Sequence, residues 1–164
     1  MPTTNENLMD AFAGESQANS KYLAFAKQAD KEGFTQVAKL FRAAAEAETI
    51  HAHAHLRNAG KVKGTMENLM DAISGETYEF TTMYPQMIKD AEADGSKAVK
   101  IYFDLVNQVE EVHAKLYKKA LEAEGKIETV DYYICNVCGY THEGPHTEAC
   151  PVCHAAASAF YKVD

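Results

Sequence analysis

Residue types that bind metals recur in this sequence at nearly constant spacing. The segment ENLMDA at residues 6–11 returns unchanged at residues 67–72, and the residues that follow it repeat in part. The repeated acidic and histidine residues form two sets, Glu15 with Glu48 and His51, and Glu76 with Glu110 and His113. Carboxylate and imidazole ligands without thiolate favour iron or manganese. A lone glutamate from one helix and a Glu-x-x-His motif from the next, present twice, is the ligand set of a di-iron or di-manganese site in a four-helix bundle.

The glutamates of these sets lie on the apolar stripes of the predicted helices. A bare carboxylate in a helical core costs several kcal/mol, so several facing one another need cations. With Glu79 included there are five glutamates, and together they carry a charge of about −5. Two ferrous ions supply about +4 and two ferric ions about +6, so such a centre is near neutral in either oxidation state. In Glu-x-x-His, the i and i+3 side chains project from one helix face and can meet the same metal pair.

Two residues near the predicted site each leave two interpretations open. Glu79 has no counterpart in the first half, where Ala18 occupies the equivalent position, so it is either a surface residue or an additional ligand. Tyr22 lies seven residues after Glu15 on the same stripe. It is either a core aromatic residue or a hydrogen-bond donor to a ligand carboxylate.

Four helices are predicted to position these residues in an all-α four-helix bundle. Apolar residues recur at helical spacing from residue 4 to residue 30, which predicts the first helix. Three further helices follow, of which the third begins at Thr65 and the fourth ends at Gly125. Each helix spans roughly 23–30 residues, or about 35–45 Å. Pro85 falls inside the third helix and is expected to kink it or to force a local adjustment. The stripe of the fourth helix predicts that Val99 and Tyr102 point inward.

The four cysteines of the chain all fall in its last 30 residues. They form two C-x-x-C motifs, Cys135 with Cys138 and Cys150 with Cys153. Four thiolates in two such motifs predict a tetrahedral site for zinc or for a single iron. A redox-active bundle in the same chain favours iron, because one iron in four thiolates can transfer one electron.

Composition excludes several classes of function. The formal charge of −8 and the absence of a basic run argue against a nucleic-acid partner. The sequence offers no membrane-length apolar run and no apolar secretory segment at its start, so we expect a cytoplasmic protein without a membrane partner. No G-x-G-x-x-G motif is present, so a nicotinamide cofactor would act through a separate protein.

Taken together, these motifs resemble the rubrerythrins over nearly the whole chain. The segments that carry the resemblance are FAGESQ at 12–17, GETYE at 75–79 followed by MYP at 83–85, EEVH at 110–113, CNVCGY at 135–140 and CPVC at 150–153. The resemblance implies a ferritin-like di-iron bundle over residues 1–127 and a rubredoxin-like iron domain over residues 130–164. It also implies a peroxidase that reduces hydrogen peroxide to water. The rubredoxin-like part is short and lacks Trp, so its resemblance to free rubredoxins rests on the cysteine motifs alone.

The resemblance further implies roles for individual residues and partners. Glu48 and Glu110 would bridge the two irons, and Glu76 and His113 would complete one iron. Glu15 would bind the other iron, which exchanges Glu79 for His51 as the oxidation state changes. We therefore expect Glu79, His51 and Tyr22 to act in catalysis. An electron-donating, NAD(P)H-dependent reductase or a rubredoxin would be a partner, and the protein would form a homodimer, either head-to-tail or with exchanged helices.

Overall fold

Five α-helices and a small antiparallel sheet are present in the part of the chain that the structure describes. The computed structural model describes residues 1–163, and Asp164, the last residue of the predicted rubredoxin-like domain, lies outside the described residues. The helices are α1 (Thr4–Lys31), α2 (Thr35–Asn58), α3 (Thr65–Tyr78), α4 (Tyr84–Ala93) and α5 (Lys97–Glu122), and the strands are β1 (Tyr132–Cys135), β2 (Thr141–Glu143) and β3 (Phe160–Lys162). No helix in the described part of the chain is long and apolar enough to cross a membrane.

The chain divides into two compact units. The first spans residues 1–63 and the second residues 64–164. This division falls inside the segment predicted as one bundle, and the predicted boundary between residues 127 and 130 remains a prediction. Each unit carries one of the two repeated sets of glutamate and histidine residues.

The first unit is a hairpin of α1 and α2. A capping box starts α1, in which the Thr3 hydroxyl accepts from the Glu6 N–H at 3.2 Å and the Glu6 carboxylate accepts from the Thr3 N–H at 2.6 Å. Gly33 ends the helix with a φ of +82°, a backbone conformation that glycine adopts without steric cost. The helices approach closely along buried alanines, which are Ala26, Ala29, Ala38, Ala45 and Ala52. Asn19 joins the two helices by donating to the Ala45 carbonyl and to the Thr49 hydroxyl, both at 2.7 Å.

The second unit contains the third and fourth predicted helices and the cysteine module. The third predicted helix is present as α3 and α4, joined by a π-helical turn over Glu79–Met83. The adjustment expected at Pro85 is therefore confirmed, and in this turn the Tyr84 N–H donates to the Glu79 carbonyl, five residues back. The nitrogen of proline carries no hydrogen and cannot donate to a backbone carbonyl, and the wider π-helical turn accommodates this missing hydrogen bond.

The cysteine module is a three-stranded sheet in the order β2–β1–β3, and both pairings are antiparallel. A short 3-10 helix over Ala157–Ala159 leads into β3. The module packs against α5 of its own unit, where Val109 is 1% exposed in a buried cluster with Cys135, Cys138 and Cys150. Lys119 of α5 also donates to both carboxylate oxygens of Glu143 on β2, at 2.8 and 2.7 Å.

Several apolar residues predicted to point inward are exposed within their units. Val99 and Tyr102 of α5 are 45% and 56% exposed, contrary to the prediction for the fourth helix. Leu40 of α2 is likewise 67% exposed. The physical reason is that each helix is covered on one side by the helices packed against it in its own unit, which leaves part of its apolar stripe open.

Candidate metal centre

The first unit brings Glu15, Glu48 and His51 together. Glu15 lies midway along α1, and Glu48 and His51 lie one turn apart on α2, so helix geometry alone directs the last two to one face. His51 Nδ1 lies 2.9 Å from Glu48 Oε2 and 3.9 Å from Glu15 Oε1. One potential ligand atom from each of the three residues falls within 4.8 Å of the others.

The second unit repeats this arrangement with Glu76 on α3 and with Glu110 and His113 on α5. His113 Nδ1 lies 2.8 Å from Glu110 Oε2 and 3.9 Å from Glu76 Oε2, so the distances match those of the first set within 0.1 Å. The second set is less accessible, since the His113 side chain is 26% exposed whereas that of His51 is 55% exposed. The sequence repeat is therefore also a repeat of side-chain geometry.

The electrostatics of the second set favour a cation. Desolvation and the neighbouring Glu110 carboxylate raise the pKa of Glu76 to about 7, although His113 acts in the opposite direction. The hydrogen bond with Glu110 raises the pKa of His113. Both groups therefore hold protons more tightly than usual, Glu76 because burial and the Glu110 carboxylate disfavour its charged form, and His113 because Glu110 stabilises its protonated form. A positive charge beside Glu76 and Glu110 would favour their ionised forms. A divalent cation that binds carboxylate and imidazole would supply that charge, so the donor set fits the predicted metal.

Glu79 and Tyr22 lie outside both three-residue sets. Glu79 opens the π-helical turn, and desolvation followed by the repulsion of Glu110 raises the pKa of its carboxyl group. It is thus within electrostatic reach of the second set. The Tyr22 ring packs at 6.2 Å from the ring of Phe41, and in the described residues its hydroxyl has no hydrogen-bond partner. The catalytic roles expected for Glu79, His51 and Tyr22 remain predictions.

The four cysteines form a compact thiol cluster. Cys135 Sγ lies 3.7 Å from Cys153 Sγ, and Cys138 Sγ lies 3.7 Å from Cys150 Sγ. A tetrahedron of sulfurs about 2.3 Å from a central ion has edges of about 3.8 Å, so the cluster already has the dimensions of a four-thiolate metal site. Burial raises the pKa of Cys138 and of Cys153. Burial also acts against the Cys135 thiolate, but hydrogen bonds from the Cys138 and Val137 N–H groups and from the Cys153 and Cys138 thiols together lower its pKa.

One polar contact links the cysteine module to the second carboxylate set. His113 Nε2 lies 3.0 Å from the hydroxyl of Thr141, the first residue of β2. The sequence reasoning missed Thr141, because a threonine after a C-x-x-C-G-Y segment carries no chemical signal by itself. Only the packing of the module on α5 brings this hydroxyl to the histidine.

Comparison with known proteins identifies the family. The rubrerythrin sequence profile matches residues 6–121, and the profile of the rubrerythrin rubredoxin-like domain matches residues 133–161. The chain belongs to the rubrerythrin family. The resemblance stated from the motifs is thereby confirmed, as is the fold class of a ferritin-like helical bundle with a small rubredoxin-like module.

Individual relatives cover almost the whole chain. Nigerythrin of Nitratidesulfovibrio vulgaris is 36% identical over 96% of this chain and 85% of its own length. Rubrerythrin-1 of Clostridium acetobutylicum is 36% identical over 92% of this chain and 89% of its own length. Solved structures of nigerythrin in its partially reduced state and in its fully reduced, all-ferrous state each have a TM-score of 0.60 and 32% identity, covering 99% of this chain and 88% of theirs. Family membership and the ligand sets together confirm the predicted cofactors, a di-iron carboxylate site and an iron in four cysteines.

Proposed function

We propose that the protein reduces hydrogen peroxide to water, using electrons that enter through the four-cysteine iron. The observation that carries this proposal is the position of the cysteine module on α5. Val109, packed among the cysteines, precedes Glu110 by one residue, and His113 contacts both Glu110 and the module. A one-electron carrier therefore lies beside one of the carboxylate sets, which is the arrangement that a reductase-fed reaction requires.

The proposal assigns ligands as the family resemblance implies. Glu48 and Glu110 would hold both irons, Glu76 and His113 would complete one of them, and Glu15 would bind the other. The remaining position would alternate between Glu79 and His51 with oxidation state. When bound, the two irons supply the electrons that reduce the O–O bond of peroxide. The balance is one H2O2, two electrons and two protons to two molecules of water.

The chain's own residues provide charge balance and orientation for this reaction. The glutamates neutralise the cations, and their partial burial keeps bulk water away from part of the site, as the 14% exposure of Glu110 indicates. The buried Val109 and the ion pair of Lys119 with Glu143 hold the electron-transfer module on α5. Thiolate ligands must stay reduced, which agrees with the expected cytoplasmic location.

We further propose a homodimer, which exposed apolar side chains on both units support. Leu40 and Ile50 on the first unit are 67% and 65% exposed, and Ile101 on the second is 62% exposed. Apolar residues exposed in such number favour burial against a second copy. Sedimentation equilibrium of the iron-loaded protein should give twice the mass of one chain, and a monomer at micromolar concentration would contradict this part of the proposal.

Anaerobic stopped-flow spectroscopy tests the activity. The iron-loaded protein is reduced with dithionite, freed of excess reductant and mixed with one equivalent of hydrogen peroxide. We expect fast reoxidation with one peroxide consumed per two electrons, and much slower reoxidation by dissolved oxygen. A separate NAD(P)H-dependent reductase or a reduced rubredoxin should sustain turnover.

The main alternative is a ferritin-like protein that oxidises and stores iron. It would take up many ferrous ions per chain, oxidise them and retain them as mineral. Uptake that stops at about three irons per chain, together with peroxide turnover, supports the peroxidase. Uptake far beyond that number without peroxide turnover would refute it.

A further inference from the structure

The two histidines related by the sequence repeat, His51 and His113, differ in the contacts that Nε2 makes. Both His51 and His113 direct Nδ1 to the carboxylates of their own set. His113 Nε2 also meets the Thr141 hydroxyl at 3.0 Å, whereas in the described residues His51 Nε2 meets no such partner. The repeat therefore gives each set a histidine, but only the second histidine is restrained at both nitrogens.

The surroundings of Thr141 determine the direction of this hydrogen bond. The Thr141 hydroxyl is placed to donate to the Gly139 carbonyl, at 3.4 Å, so its oxygen accepts from His113 Nε2. This contact requires the hydrogen on Nε2. Nδ1 faces the Glu110 carboxylate at 2.8 Å, where a bound metal ion would take the place of the Nδ1 hydrogen.

Packing alone leaves the His113 ring room to move. A cavity of about 370 Å³ adjoins the ring and Thr141, and its other lining residues include Leu69, Leu116 and Tyr132. This largely apolar lining offers the imidazole no further polar restraint on that side. The ring is therefore held by its two polar contacts, Glu110 at Nδ1 and Thr141 at Nε2.

We propose that Thr141 is a positioning residue that makes His113 the permanent histidine ligand of the site. Its hydroxyl fixes the ring orientation and the Nε2–H tautomer, so that Nδ1 is always presented to the metal. His51 lacks this restraint and can leave its ligand position. The proposal rests on the carboxylate sets holding metal, as the proposed function has it, but does not depend on peroxide being the substrate.

Two substitutions separate the hydroxyl from the shape of the side chain. Thr141→Val keeps the size and removes the acceptor, whereas Thr141→Ser keeps the hydroxyl. Both are tested in protein loaded with Zn²⁺ at every site, which is diamagnetic. Imidazole ¹⁵N spectra report the tautomer, and titration of Zn²⁺ into protein stripped of its carboxylate-bound metal reports affinity.

In the wild type we expect His113 to carry its proton on Nε2 and to bind Zn²⁺ through Nδ1. Thr141→Val should lower Zn²⁺ affinity at the carboxylate sites about 10-fold and alter the His113 ¹⁵N signals, because outer hydrogen bonds to ligating histidines contribute on the order of 10–100-fold. Thr141→Ser should stay within about 3-fold of the wild type. The His51 signals should be unchanged in both variants and serve as the internal control.

Two results would overturn the inference. One is a wild-type His113 that binds through Nε2, which needs no variant to detect. The other is a Thr141→Val protein with wild-type affinity and ¹⁵N signals, or a serine variant as weak as the valine variant. Failure of the proposed function would look different. The wild type and the Thr141 variants would then give the expected Zn²⁺ and ¹⁵N results, but the iron-loaded wild type would not reduce peroxide.

Discussion

Replacing Glu76 by glutamine should stabilise the metal-free protein at pH 8 and yet weaken its binding of metal. Desolvation and the nearby Glu110 carboxylate raise the pKa of Glu76 from 4.5 to about 7, while Glu79 adds to the rise and His113 opposes it. The folded protein therefore binds more protons than the unfolded chain between these pH values. It follows that the free energy of unfolding falls as pH rises from about 5 to 8. His113 contributes with the same sign, because its raised pKa also favours the protonated folded state.

The size of the effect follows from the pKa of Glu76. A rise from 4.5 to about 7 corresponds to ~3 kcal/mol at pH 8, at about 1.4 kcal/mol per pKa unit. The side chain is 21% exposed and shares its protons with Glu110 and His113, so solvent screening and coupling reduce the expected penalty to about 1–2 kcal/mol. Glu76→Gln removes the charge and keeps the shape. We therefore expect a gain of about 1–2 kcal/mol at pH 8 and little change at pH 5.

Urea unfolding at both pH values measures this effect. A chelator removes the carboxylate-bound metal, the visible spectrum verifies that the four-cysteine iron remains, and far-UV circular dichroism follows the helices. Glu111→Gln is the matched control, because Glu111 is a 48%-exposed glutamate on the same helix as Glu110 and pairs with Lys115. That variant should retain the wild-type dependence on pH. Metal-free protein that is more stable at pH 8 than at pH 5, or a Glu76→Gln variant less stable than the wild type at pH 8, would refute the reasoning.

The other predictions concern the electron path, the docking of the module and the ligand exchange. Cys135→Ser should remove the visible spectrum of the four-cysteine iron and abolish reductase-driven turnover, while chemically reduced protein should still react with peroxide in a stopped-flow experiment; surviving reductase-driven turnover would mean that electrons enter elsewhere. Val109→Ala should destabilise the second unit by about 1–3 kcal/mol in urea unfolding, because it opens a cavity in a fully buried contact, whereas Val137→Ala, at a valine 57% exposed, should cost less than about 0.5 kcal/mol. Glu79→Ala should perturb the diferric spectrum more than the diferrous one, and His51→Ala should slow peroxide turnover while leaving the oxidised spectrum nearly unchanged. Crystal structures in both oxidation states would contradict the exchange if His51 ligated iron equally in each.

The ligand sets could be predicted from the sequence because they depend on local geometry. Glu48 and His51, like Glu110 and His113, are three residues apart on a helix, so their side chains share a face in any fold that keeps the helix. The internal repeat then indicated which lone glutamates belong with them. The paired C-x-x-C motifs likewise predicted the thiol cluster, and Pro85 predicted a disturbance of its helix, because proline cannot donate a backbone hydrogen bond.

Tertiary structure alone decided which parts of the chain pack on one another. No local pattern places the cysteine module on α5, and that packing creates the contact between Thr141 and His113 and buries Val109. It also makes the two sequence-equivalent histidines inequivalent, since only His113 gains a partner at Nε2. The exposure of Val99 and Tyr102 is a further example, because a helical stripe specifies which face is apolar but not which surface covers it. Spacing along a helix is determined by the sequence, whereas contacts between distant segments depend on packing that no single segment encodes.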